Sequence, residues 1–281
     1  MKIFLAKKLY FKTHQSDASF LLNYSLENAI MVSKDVSQMK ETIYTIPINE
    51  ALEKECFCPL CEMYKDVERS EIKYAVGPAM MEPDFREITN KKGFCKKHIA
   101  DLNAESKALA LALVFDTHLA EIENIMDADL SGKKGLFKKD EASEKFVAEL
   151  KNVTESCVIC ERTESTFRRY IDNFVYLLKK DSDFMEKVLK TDGFCMEHFT
   201  ALTAKAKEEF SEGDFKKYFL PIIELQKKRV EQYHIYIKNF VDKFDYRNKD
   251  KPLDAPKDTL MQTSRLLNGE FEPKEKKLDN I

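Results

Sequence analysis

Cys58-Pro59-Leu60-Cys61 is followed by Gly93-Phe94-Cys95-Lys96-Lys97-His98, with 33 residues between Cys61 and Cys95. The chain then repeats itself. Cys157-Val158-Ile159-Cys160 precedes Gly193-Phe194-Cys195-Met196-Glu197-His198, with 34 residues between Cys160 and Cys195. Six of the seven cysteines fall into this pattern, and the match extends beyond them. Glu62 corresponds to Glu161, Arg69 to Arg168, Ile72 to Ile171, and Asp84-Phe85-Arg86-Glu87 to Asp183-Phe184-Met185-Glu186. A period of about 100 residues is too long for a solenoid and reads as tandem duplication of a small unit.

Three thiolates and an imidazole are a common ligand set for tetrahedral structural zinc. A Cys-x₂-Cys pair sets two sulfurs around one ion by a tight turn. A Cys-x₂-His pair at a helix start puts its side chains on one face. The expected metal ligands are therefore Cys58, Cys61, Cys95, His98, Cys157, Cys160, Cys195 and His198, holding two zinc ions. Pairing within each copy is expected, because each copy repeats the full set. One Cys-x₂-Cys alone reads equally well as two buried apolar cysteines; two complete sets at near-equal spacing do not. An iron–sulfur cluster takes four thiolates as a rule, which disfavours it here. Cys56 stands opposite Glu155 in the second copy and reads as a spare thiol. Lys96 and Lys97 are candidates to offset the one negative charge left by three thiolates on a divalent cation.

Around these motifs the periodicity is helical. From Pro59, a favoured first helical residue, apolar positions recur at three- and four-residue steps to about Gly77. Asp84 and Glu87 suggest a partial capping box opening a short helix, with Gly93 as its left-handed C-cap. A long, buried helix is expected from Cys95 to about Met126. The second copy repeats the scheme over about Cys157–Leu178, Asp183–Lys190 and Cys195–Phe210. A last long helix runs from Asp214 to Phe244, where Pro221 should kink it or split off its first turn. The fold class is all-α: tandem duplicated helical units, each with a Cys₃His site, ending in a long C-terminal helix. The boundaries read as an arm over 1–38 (or one extra helix from Ser19 to Met31), a first unit over 39–130, a linker over 131–142, a second unit over 143–246 and a charged tail over 247–281. A short helix near Asp258–Leu267 is expected in that tail.

The totals exclude several classes. With 281 residues and 43% apolar composition, a sizeable core is available. Charged residues reach 34%, yet the net charge is only −3, against the basic excess of a nucleic-acid binder. Seven glycines, eight prolines and no tryptophan do not suit a sandwich or barrel. The longest apolar run, 108–115, is far short of the ~20 residues of a membrane span. Lys7 and Lys8 interrupt the apolar start, so it does not read as a secretory signal. The expected setting is the cytoplasm, where thiols stay reduced. No phosphate-cradling glycine loop, His-Glu-x-x-His helix or Gly-x-Ser-x-Gly elbow is present. His118 and His234 read as ordinary core or surface histidines.

The segments Met39–Pro47, Cys58–Cys61, the two Gly-Phe-Cys-x₂-His motifs and Lys243-Phe244-Asp245-Tyr246-Arg247-Asn248 resemble a bacterial family of unassigned function, known mostly from Gram-positive anaerobes. The resemblance covers about residues 39–270, leaves 1–38 outside, and implies duplicated Cys/His motifs in a cytoplasmic protein without supplying an activity. The function expected from the residues is a zinc-binding helical scaffold that meets another protein, with no catalytic residue and no membrane or nucleic-acid partner. The alternative is a thiol- or metal-responsive redox switch.

Overall fold

The computed structural model describes residues 44–127, 138–248 and 253–270, and every regular element among them is helical. Helix α1 (44–53) is followed by α2 (Pro59–Ala75), a 3₁₀ turn (Pro78–Met81), α3 (Pro83–Lys91), α4 (Lys96–Ala104) and α5 (Ala108–Met126). The same order then recurs as α6 (Lys138–Glu155), α7 (Val158–Lys180), α8 (Ser182–Lys190), α9 (Met196–Glu209) and a long terminal helix. That last helix comprises a short turn α10 (Glu212–Asp214), a π-helical turn (Phe215–Phe219) and α11 (Leu220–Asp242). Pro221 lacks the N–H for the helical ladder; the first turns are split from α11 as its position led one to expect, and the segment before it takes π geometry, which was not expected. Helix α12 (Thr259–Asn268) confirms the short helix in the tail. The arm over 1–38 lies outside the described residues, as do 131–137 of the expected linker; α6 opens at Lys138, inside that linker stretch. No helix among the described residues is long and apolar enough to cross a membrane.

Helices α2 and α7 form the central pair and run antiparallel. Tyr64 stacks edge-on against Phe167 at 5.2 Å, and further along α2 Glu71 meets Arg162, earlier in α7, at 2.6 Å. Their register divides the core in two. One cluster joins the start of α2 (Cys58, Leu60, Cys61, Met63) to the later half of α7 (Phe167–Leu178), with Phe184, Phe194, Leu202, Phe219 and Ile222. The other joins the end of α2 (Ile72, Ala75, Val76) to the start of α7 (Cys157, Val158, Ile159), with Phe85, Phe94, Leu102 and Leu111. Both clusters therefore contain residues from both copies of the motif.

Three local expectations are corrected. The helix expected from Cys95 to Met126 breaks at 105–107, where Ser106 adopts φ +56°. Its second half, α5, buries only Ala110, Leu111, Val114 and Ile125, while Leu109 and Leu119 face solvent. The apolar run is thus half surface. Neither Asp84 nor Asp183 caps its helix: Glu82 precedes α3 without a side-chain cap bond, and Asp181 caps α8 by accepting from the backbone N–H groups of Asp183 and Phe184. Gly93 is not in the left-handed region; its counterpart Gly193 is, at φ +94°.

Candidate metal centres

The Cys-x₂-Cys pairs sit where α2 and α7 begin. Cys58 and Cys157 are the extended residues immediately before these helices, with no side-chain cap bond of their own, and Cys95 and Cys195 occupy the same place before α4 and α9. The backbone that follows folds each second ligand back onto the first. At α2, for instance, Cys58 O accepts from Cys61 N–H at 3.0 Å. The four helix starts converge two by two. Cys58 and Cys61 meet Cys195 and His198, all buried; Cys95 and His98 meet Cys157 and Cys160, with Cys95 and Cys160 half-buried.

All eight expected residues are gathered, but not in the expected partnership. Pairing within each copy is overturned: each set takes its Cys-x₂-Cys from one copy and its Cys-x₂-His from the other. Helix length explains this. The 17 residues of α2 carry the chain about 25 Å from Cys58, and the nine residues of α3 return only about 13 Å of it. Moreover α3 stays at the far end of α2, where Phe85 stacks on Tyr74 at 5.5 Å and Tyr74 donates its hydroxyl hydrogen to Glu82 at 2.6 Å. Cys95 is left beside the start of antiparallel α7, and there it meets Cys157. In the second copy Phe174, late in α7, holds both Phe184 and Phe194, which leaves Cys195 next to Cys58.

The donor geometry fits a tetrahedral ion. Metal–sulfur bonds of about 2.3 Å and a metal–nitrogen bond of about 2.0 Å require sulfur–sulfur edges of about 3.8 Å and sulfur–nitrogen edges of about 3.5 Å. In the first centre Cys195 Sγ lies 3.9 Å from Cys58 Sγ and 3.7 Å from Cys61 Sγ. His198 Nδ1 lies 3.6, 3.4 and 3.2 Å from Cys58, Cys61 and Cys195. In the second, Cys95 and Cys160 Sγ are 3.8 Å apart, and His98 Nδ1 is 3.2–3.3 Å from its three sulfurs.

The helix N-termini are suited to offset the charge at each centre, and one of the two lysines expected to do so, Lys97, is engaged elsewhere. Three thiolates around a divalent ion leave one negative charge. Two helix N-termini point at each centre, each equivalent to about half a positive charge. Lys97 instead pairs with Glu68 and Asp101. With only protons to share, the sulfurs and imidazoles divide them unequally. Burial pushes the Cys157 thiol up, but hydrogen bonds from His98 and its neighbours bring it to about 6, while burial and Cys157 push Cys160 to about 12. Burial pulls both imidazoles down, yet the adjacent thiols, and Glu68 in the case of His98, hold His98 and His198 at about 10. One thiol of each centre, Cys157 in one and Cys58 in the other, is thus held towards the thiolate form by its neighbours.

The surroundings differ between the two centres. His98 Nε2 lies 2.9 Å from Glu68 Oε1, and this hydrogen bond, with Lys97 beside it, holds the carboxyl at about 2. A carboxylate that orients a ligating histidine strengthens its hold on metal. Ten residues after Cys157, at the place equivalent to Glu68, stands Phe167, whose ring packs on His198 at 5.1 Å. Replacing Glu68 with alanine is therefore expected to weaken metal binding about 10- to 100-fold at the His98 centre alone. Competition against a chromophoric chelator should then resolve one weakened and one unchanged site.

Several supporting residues carry no motif. Gln226, buried on α11, accepts from Phe194 N–H and donates to Phe194 O, both at 2.9 Å, and so pins the loop before Cys195. Val158 N–H donates to Gly93 O at 3.1 Å, pinning the other ligand loop against the start of α7. Glu270 N–H points at Cys61 Sγ at 3.5 Å, and Glu270 pairs with Lys65, so the end of the tail helix touches the first centre. A polar residue amid the apolar positions Ile222, Ile223 and Val230 was a readable sign of Gln226; nothing in the sequence marked Gly269–Glu270. Cys56 joins neither set, and burial pushes its thiol up to about 11. His118 Nδ1 donates to Asn90 O at 3.0 Å, a structural contact.

Neither a curated protein nor a solved structure matches the chain. The profile of a family of unknown function, DUF6062, matches residues 39–274, which include both Cys₃His sets, and the chain belongs to that family.

Proposed function

We propose that this protein is a zinc-stabilised helical scaffold. Its two Cys₃His sites would be structural, and it would present its helical surface to another protein in a reducing, cytoplasmic setting. The observation that carries the reading is the closure of each site: four protein ligands at tetrahedral separations leave no open position for an activated water. Elemental analysis and native mass spectrometry of protein purified without added metal test the proposal. Two zinc ions per chain are expected; iron with visible absorbance, or no metal, contradicts it.

A second reading, a thiol-responsive switch, draws on one difference between the centres. Cys95 and Cys160 are half-exposed, whereas the Cys58 centre is buried throughout. Low doses of peroxide would then release one metal ion before the other, and reduction would restore it. Simultaneous loss of both ions, or inertness, counts against it. Cys56 is a poor exchanging thiol in either case, because a pKa of about 11 leaves little thiolate at neutral pH.

A further inference from the structure

Between α11 and α12 lies a cleft of about 380 Å³, of the size that holds small ligands. Arg229, only 7% exposed, lines it. The guanidinium is fixed from behind: Nη2 donates to Phe57 O at 2.7 Å, and its plane lies 4.1 Å over the Phe57 ring. Its other two nitrogens, Nε and Nη1, are buried without a hydrogen-bond partner. An arginine cannot shed its proton to escape this, and an uncompensated buried charge is strongly destabilising. Asp192 also lines the cleft but forms no ion pair with Arg229 among the described residues, while Lys228 adds a second cation at the rim. Tyr233, Tyr236 and Gln262 supply apolar ring faces and polar groups, with Tyr233 donating its hydroxyl hydrogen to Gln262 at 3.1 Å.

We infer that this cleft binds a small organic molecule through a phosphate or carboxylate, which accepts from Arg229 and Lys228 while its body lies along the two tyrosines. A fixed arginine with unused donors in a concave site suits such an oxyanion. The site lies apart from both Cys₃His sets. Phe57, which holds the arginine, directly precedes the metal ligand Cys58, so an occupant would brace that loop as well.

The test titrates the full-length, metal-loaded chain with phenyl phosphate and, separately, with benzoate. It follows the melting temperature and the Arg Nε–H resonances. The expected result is a saturable rise in melting temperature with at least one of them; which one responds distinguishes phosphate from carboxylate. The exposed-rim change Lys228→Glu should weaken binding about tenfold, as a reversed charge beside an oxyanion does. Arg229→Met should abolish it. If Arg229→Met fails to fold, the Lys228→Glu titration and the wild-type arginine resonance decide. No saturation with either anion, or equal binding by wild type and Lys228→Glu, overturns the proposal.

Discussion

Stripping both centres with a strong chelator is expected to abolish cooperative thermal unfolding. The near-ultraviolet circular dichroism should collapse, and zinc should restore both signals. Binding free energy at structural zinc sites is of order 10 kcal/mol per ion and becomes folding free energy, because the unfolded chain has no preformed site. A domain has only about 5–15 kcal/mol of net stability to lose. The arrangement here enlarges the effect. Each ion joins the two copies rather than closing one of them: Cys58 and Cys195 are 137 residues apart, Cys95 and Cys160 are 65 apart. The sulfurs also belong to the cores themselves, since Cys58, Cys61 and Cys195 pack with Phe174 and Leu202, and Cys157 with Phe94 and Leu111. Without metal, buried thiolates and imidazolium groups are left facing one another in an apolar setting. An unchanged melt after verified metal removal would mean that the helices hold themselves together without it.

Replacing Gly93 with alanine should cost about 3 kcal/mol or more, at the upper end of what overpacking a close contact does. The added Cβ would lie 2.0 Å from Val153 O, backbone that belongs to α6 and cannot swing aside. Relief requires separating Gly93 from the end of α6, and with it from the adjoining start of α7, which weakens the bond from Val158 N–H and draws Cys95 away from Cys157. Metal loss should therefore be confined to the His98 centre, leaving one ion per chain alongside the lowered denaturation midpoint. Gly213→Ala is the matched control, because nothing lies within 4 Å of its added Cβ, and it should change stability by about 0.5 kcal/mol or less. Equal behaviour of the two variants would refute this account of Gly93.

What could be read from the residues was local chemistry. The helical class followed from three- and four-residue apolar spacing, and α2, α7 and α12 begin and end within a few residues of where that spacing placed them. All eight ligands followed from the duplicated motifs. Their partnership did not, because a set drawn from one copy and a set drawn from both use the same residues at the same spacing. The choice rests on the ratio of α2 to α3 and on the antiparallel packing of α2 against α7, both tertiary facts. The exposure of Leu109 and Leu119 was hidden for a related reason: a uniformly apolar run carries no moment to say which side faces the core. Ser106 breaks that helix without a glycine or proline to announce it. The balancing of thiolate charge by paired helix N-termini, and the buried Gln226 and Arg229 that brace the ligand loops, likewise exist only once distant helices meet.

The most direct test of the exchanged partnership is the metal content of two double variants, read by native mass spectrometry after brief competition with a chelator. Cys58→Ser with Cys195→Ser removes two ligands from one set and none from the other, so one ion should remain. Cys58→Ser with Cys95→Ser removes one ligand from each set, so both sites should lose their hold. The reverse pattern, with the Cys58/Cys95 variant keeping an ion and the Cys58/Cys195 variant losing both, would contradict the account and return each metal to a single copy.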